Sequence, residues 1–231
     1  MDRLRFVCCC LQSQSSEEET QPILGAPASA RTFHSSHNDG QCGSGRVTVR
    51  HVGVPDLDQR FTDFAETFNH QQEHYECMQE KRRALLYRYR CAPDSSLSEC
   101  LQKIKDEHDE HQISLQMKGF DFSLAVTPDD PVPDKLKQTR ENIKELCQAV
   151  KAIMGAELKL EKMMTWLLNS EKSLSEKVNT EAKTHQDSKR LGDNLKENLH
   201  ETSRAKVLSP RYKEEAGKLF DEVALLSGVQ N

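Results

Sequence analysis

Long apolar runs are missing from this sequence. No stretch approaches the ~20 consecutive apolar residues of a membrane-spanning helix, so a spanning segment is not expected. Paired cysteines are missing as well. The eight cysteines include no C-x-x-C pair, which leaves a zinc ribbon or a dithiol redox motif without support. Positive charge is not in excess. The net charge is −5 over 231 residues, so no basic field points to nucleic acid. There is no glycine-rich phosphate loop, no G-x-S-x-G elbow and no recognisable carboxylate pair, so no cofactor and no enzymatic activity are expected. A secretory leader is not expected either, because the apolar run from Phe6 to Leu11 after Arg3 and Arg5 is too short. The scattered cysteines beyond the N-terminus therefore read as reduced, cytosolic and structural.

What the sequence does have begins at its N-terminus. Cys8, Cys9 and Cys10 lie in an apolar, arginine-flanked patch followed at once by an acidic, serine-rich stretch. Adjacent cysteines do not easily bridge each other, because a disulfide wants Cα atoms about 5.5 Å apart. A thiol cluster of this kind suits S-acylation instead. Two acyl chains are enough for stable anchoring, at roughly 0.8 kcal/mol per buried CH₂. Ser15 and Ser16 each have a glutamate three residues on, Glu18 and Glu19, as an acid-directed kinase prefers. Added phosphate would weaken anchoring on an anionic surface, although the stretch also reads as a plain solubilising spacer. Ser209 is a third phosphorylation candidate. Glu19, Ile23 and Leu24 approximate an acidic dileucine sorting signal, which favours endosomes and lysosomes. The layout of the first 25 residues resembles lipidated scaffold subunits of late-endosomal complexes; the resemblance carries no functional residue across.

Five stretches follow from composition and periodicity. Residues 1–12 form the anchor and 13–54 a disordered tether, with a brief alternating run of Val47, Val49, Val52 and Val54 that is too isolated to make a sheet. Residues 55–126 read as a helical hairpin. Its first seam is Phe61, Phe64, Phe68, Gln71, Tyr75, Met78, Arg82, Leu85 and Tyr89. Ser96 and Glu99 make a capping box for the second helix, whose seam runs Leu97, Leu101, Ile104, His108, His111, Leu115. Phe120 to Val126 reads as an apolar turn or short extended piece. Residues 127–134 form a proline-rich linker.

Residues 135–231 hold a long coiled-coil-like helix and a C-terminal helix. The long stripe includes Ile143, Leu146, Val150, Ile153, Leu160, Met164, Leu167, Leu174 and Val178. Ala152, Met154, Leu158, Met163, Trp166 and Leu168 widen it. Ser209 and Pro210 read as an N-cap and first helical position of the last helix. The expected fold is thus all-α: four helices in an elongated bundle or coiled coil behind a tether. Ile143 to Val178 covers about 54 Å at 1.5 Å per residue. The other helices look too short to cover it, so a second copy or another helical protein is expected near Met163, Trp166 and Leu167, with Trp166 a suitable interface anchor.

The expected function is a non-enzymatic adaptor on the cytosolic face of a membrane, held by acyl chains. The alternative is a soluble coiled-coil subunit of a cytoskeletal or kinetochore-type assembly. A remote alternative is a zinc hydrolase, because His70, Glu73 and His74 match H-x-x-E-H. No third ligand is evident, so no metal is expected. Asp106 to His111 could collect a cation or sense pH, or serve as a solvated helix face. Lys81, Arg82, Arg83, Arg88 and Arg90 suit either lipid headgroups or the cationic end of a helix.

Overall fold

A computed structural model describes residues 45–228. Five helices and one β-hairpin make up the described chain: α1 (Pro55–Arg88), α2 (Leu97–Glu107), β1 (Gln112–Lys118), β2 (Asp121–Thr127), α3 (Asp134–Asn169), α4 (Glu171–Glu181) and α5 (His185–Leu226). The architecture is mostly helical, as the 3-4 spacing of apolar residues implies. It differs from four helices in having a fifth, and in the hairpin.

Helix α1 starts with Pro55 at its first turn, where a missing N–H costs nothing, and with Asp56 and Asp58 placed favourably at the positive end of the dipole. Phe61, Phe64, Phe68, Met78 and Leu85 are buried on one face. Gln71 joins them, and its Nε2 donates to the Ile153 carbonyl at 3.2 Å. The helix ends in a Schellman turn. Cys91 N–H donates to Leu86 O at 2.9 Å and Arg90 N–H to Tyr87 O at 3.1 Å, with Arg90 at φ 51°. The capping box then forms as expected: Glu99 N–H reaches Ser96 Oγ and Ser96 N–H reaches the Glu99 carboxylate, both at 3.1 Å.

The second seam does not stay helical beyond Glu107. Period-2 alternation wins there. Ile113, Leu115, Phe122, Leu124 and Val126 bury one face of an antiparallel hairpin, with Ile113 opposite Val126 and Leu115 opposite Leu124. Lys118 pairs with Asp121, leaving a two-residue loop whose first member is Gly119 at φ 61°. The hairpin lies on α3, where Phe122 N–H meets Cys147 Sγ at 3.2 Å.

Three long helices build the core. Helix α3 runs opposite to α1: Gln71 meets Ile153, Lys81 pairs with Glu145 at 2.7 Å, and Tyr89 bonds Thr139 at 2.7 Å. Helix α5 runs with α1. Tyr212 stacks on Tyr75 with ring centroids 4.2 Å apart, and Gln79 donates to Glu215 at 2.7 Å. The α3 stripe is interrupted at Ser170, yet Leu174 and Val178 of α4 stay buried. Ile143, Val150, Ile153, Leu160 and Leu167 are all buried within the chain.

The expectation that another chain must finish this stripe rested on short partner helices. Helix α5 has 42 residues against 36 in α3, so the premise fails. The cause is Pro210. It lies inside α5 instead of opening a helix. Proline has no N–H for the carbonyl four residues back, but close packing around Ala205, Ser209 and Ala216 carries the helix through.

Residues 45–54, expected to belong to a disordered tether, are ordered against the helices. Residues 45–54 lie as an extended strap on α1 and α5, with Val47 and Val52 buried. Asn69 accepts from Val47 N–H at 2.8 Å and donates to its carbonyl at 2.9 Å, as a neighbouring strand would. Asn198 does the same for Arg50. The backbone of the valine-rich run is thus paired by asparagine side chains on helices.

Candidate functional site

The side chains that the sequence marks for partner binding divide. Leu167 is buried in the core, Met163 is half-buried, and Trp166 is 38% exposed. All three line a groove between α1 and α3, with Arg60, Asp63, Lys159 and Lys162. The Arg60 guanidinium lies 4.4 Å from the centroid of the Trp166 ring, a cation–π contact that holds the indole on the groove wall. Gln59 Nε2 donates to Asp63 at 2.7 Å on the α1 side. Three cations and one carboxylate therefore ring an apolar floor. The groove encloses about 410 Å³.

A second cleft opens farther toward the N-terminus of α3. Phe120 of the hairpin loop, 64% exposed, stacks on Phe220 of α5 at 5.6 Å between centroids. Met154, Gly155, Lys151, Glu157 and Lys213 complete it. Lys151 pairs with Asp121 and Lys213 with Glu157, so its charges are balanced. Between the clefts stands Leu158, 60% exposed. Lys151, Gly155, Leu158, Lys162 and Trp166 follow 4-3-4-4 spacing, one outward face of α3 opposite its buried stripe. The six residues that widen the apolar stripe in the sequence belong to this outer side or its flanks: none of Ala152, Met154, Leu158, Met163, Trp166 and Leu168 is buried. Phe120 and Phe220 escaped sequence reasoning, since neither lies on a seam that joins them; only the hairpin brings them together.

The other candidates fall in different places. Cys8, Cys9, Cys10, Ser15, Ser16, Glu19, Ile23 and Leu24 lie outside the described residues. Ser209 is buried in α5, out of reach of a kinase while the protein is folded, and is not an N-cap. His70 and His74 stack on α1 with ring centroids 6.4 Å apart. Among the described residues no three His, Cys, Asp or Glu side chains are grouped to hold a metal ion.

Of the acidic-histidine run, Asp106, Glu107, Asp109 and Glu110 are exposed, as a solvated face implies, but the two histidines are not. His108 is buried, edge-on to Tyr89 at 6.1 Å, and His111 is buried with Nε2 at 3.2 Å from the Pro131 carbonyl. Two members of the basic run, Lys81 and Arg82, are committed to contacts beyond their own helix. Lys81 pairs with Glu145, whose hydrogen bond raises the lysine pKa. Arg82 donates to Ser95 O and Arg83 to Gln79 O. Tyr87 projects outward beside them.

Burial raises the pKa of the Cys77, Cys100 and Cys147 thiols, Cys100 to about 12 with Cys91 beside it as a further cause. A nucleophile needs the opposite shift. No helix among the described residues is long and apolar enough to cross a membrane. Comparison with family models, with curated proteins and with solved structures finds no match.

Proposed function

We propose that this chain is a non-enzymatic adaptor or scaffold subunit, tethered by S-acylation of Cys8, Cys9 and Cys10 to the cytosolic face of a membrane. Endosomes and lysosomes are favoured by the Glu19, Ile23, Leu24 signal. The tether supplies location, and a helical protein partner docks on the helical body. The observation that carries the reading is the sole tryptophan, Trp166, standing half-open on a groove ringed by cations. Aromatic anchors with arginine neighbours are the usual energetic centres of interfaces. The inner apolar stripe of α3 is buried within the chain, so the outer face of α3 is the binding surface.

Acyl-resin capture tests the anchor. The wild-type chain should be retained, and hydroxylamine, which cleaves thioesters, should release it from membranes. The Cys8→Ser/Cys9→Ser/Cys10→Ser variant should do neither. Equal capture of both chains, or equal membrane recovery, would remove the tether from the reading. Trp166→Ala should leave capture and membrane recovery intact.

A further inference from the structure

We infer that the outer face of α3 receives an acidic amphipathic helix of another protein, with one apolar side chain in the Trp166 groove and another in the Phe120–Phe220 cleft. This rests on the adaptor reading and adds the chemistry of the partner. Gly155 and Trp166 mark the two concavities and are eleven residues apart on α3, about 16 Å at 1.5 Å per residue. A second helix laid alongside would place apolar side chains at i and i+11 into the two, with i+4 and i+7 over Leu158. Gly155 lets the partner backbone come close, since a Cβ there would meet nothing within 4 Å.

Charge decides what kind of helix fits. The whole chain is acidic at −5, yet the Trp166 groove carries Arg60, Lys159 and Lys162 against Asp63 alone. From Leu158 to Leu168 two lysines stand against one glutamate, Glu161. Among the described residues Lys159 and Lys162 form no ion pair, whereas Lys151 and Lys213 in the other cleft are paired. The free cations therefore sit at one end of the surface, and the partner's carboxylates belong near its residue over Trp166. An anionic membrane would also meet lysine and tryptophan, but a bilayer needs protruding apolar side chains. Leu158 and Phe120 do protrude on this face, but the concavities beside Trp166 and Phe220 fit single inserted side chains.

Trp166 is the only tryptophan, so its fluorescence reports on the groove directly. The full chain, prepared without acyl groups, is titrated with a tryptophan-free helical peptide of about 18 residues. The peptide carries leucines at i, i+4, i+7 and i+11 and glutamates on both flanks. Saturable change in Trp166 emission is expected, weakened about tenfold by Lys159→Glu/Lys162→Glu and again by Leu158→Ala. Both variants alter exposed residues, so circular dichroism should match wild type. A matched peptide with lysines for glutamates should not bind. Equal binding of the two peptides, or of the Glu peptide to the double variant, would overturn the proposal. So would no response to the Glu peptide, including the case in which phosphatidylserine vesicles alone shift Trp166 emission. In any of these cases the membrane tether still stands if acyl-resin capture and membrane recovery are intact, and falls separately if they are not.

Discussion

Asn198 of α5 grips the backbone of Arg50, 148 positions away, from both sides. Its Oδ1 accepts from Arg50 N–H at 2.7 Å and its Nδ2 donates to Arg50 O at 2.8 Å. Asn198 is fully buried. The strap thus receives from one side chain what a neighbouring strand would give. Asn198→Ala removes both bonds and leaves two backbone groups poorly satisfied. It should lower unfolding stability by about 2–3 kcal/mol. Asn198→Asp should not rescue it, because the carboxylate keeps the acceptor but faces the Arg50 carbonyl without a donor. Urea denaturation gives the cost. Limited proteolysis should show earlier cleavage within residues 45–54 in both variants; an unchanged midpoint would mean that the strap contributes nothing.

Gly53 fixes the same strap near its entry into α1. Its φ is +77°, and a Cβ there would lie 2.9 Å from Leu191 Cδ1. Gly53→Ala should cost about 1–3 kcal/mol from left-handed strain and the displaced leucine together. Leu191→Ala opens the space but leaves the strain. The double variant should therefore be more stable than the sum of the two single losses predicts, by at least about 0.5 kcal/mol. Strict additivity in thermal or urea melts would show that the close approach to Leu191 is not felt.

The stripes on α1 and α3 were legible because long 3-4 periodicity has few alternatives. Phe61, Phe64, Phe68, Leu146, Val150 and Leu160 are buried as their spacing implies. The capping box of Ser96 and Glu99 was legible for the same local reason. The hairpin was not. Leu115 fits a helical seam with Ile104 and a strand with Ile113, and only Gly119 at the loop and the facing run from Phe122 to Val126 decide for the strand. The strap was hidden because its partners, Asn69 and Asn198, are far off in sequence and are not strand residues. Of the candidate site, Trp166 and Met163 could be picked from a stripe too wide for one seam. Leu167 could not be told from them, since one helical position separates an outer side chain from a buried one.

Pro210 shows tertiary packing overriding a local rule. A proline in a helix interior costs about 3 kcal/mol relative to alanine. Pro210→Ala restores an N–H for the Lys206 carbonyl and removes the ring. The variant should be about 1–3 kcal/mol more stable, with a higher midpoint in urea and slightly greater helicity. A lower midpoint would mean that the surroundings of Ser209 and Ala205 are shaped to the proline ring, and that its packing outweighs the missing hydrogen bond.

Cys100 gives the chain an alkaline limit. Its thiol is fully buried on α2, and burial, with Cys91 close by, pushes its pKa up to about 12 from 9.0. The unfolded chain releases this proton first, so between those values it binds fewer protons than the folded chain, and stability falls as pH rises. The contribution is complete below about 9 and is lost as pH rises through about 12. Tyr75 acts in the same sense: burial and then its hydrogen bond to Glu215 raise its hydroxyl from 10.0 to about 12. Denaturation midpoints should therefore decline above pH 9 in the wild type and less steeply in Cys100→Ala. The part that remains should shrink further in Cys100→Ala/Tyr75→Phe. Iodoacetamide at mildly alkaline pH, with the sites mapped by mass spectrometry, supplies the independent check. Half-buried Cys91 should be modified in the folded chain, and Cys100 only once the chain unfolds. Modification of Cys100 at the rate of Cys91, without loss of helicity, would show that its thiol is open to solvent and that the alkaline limit has another source.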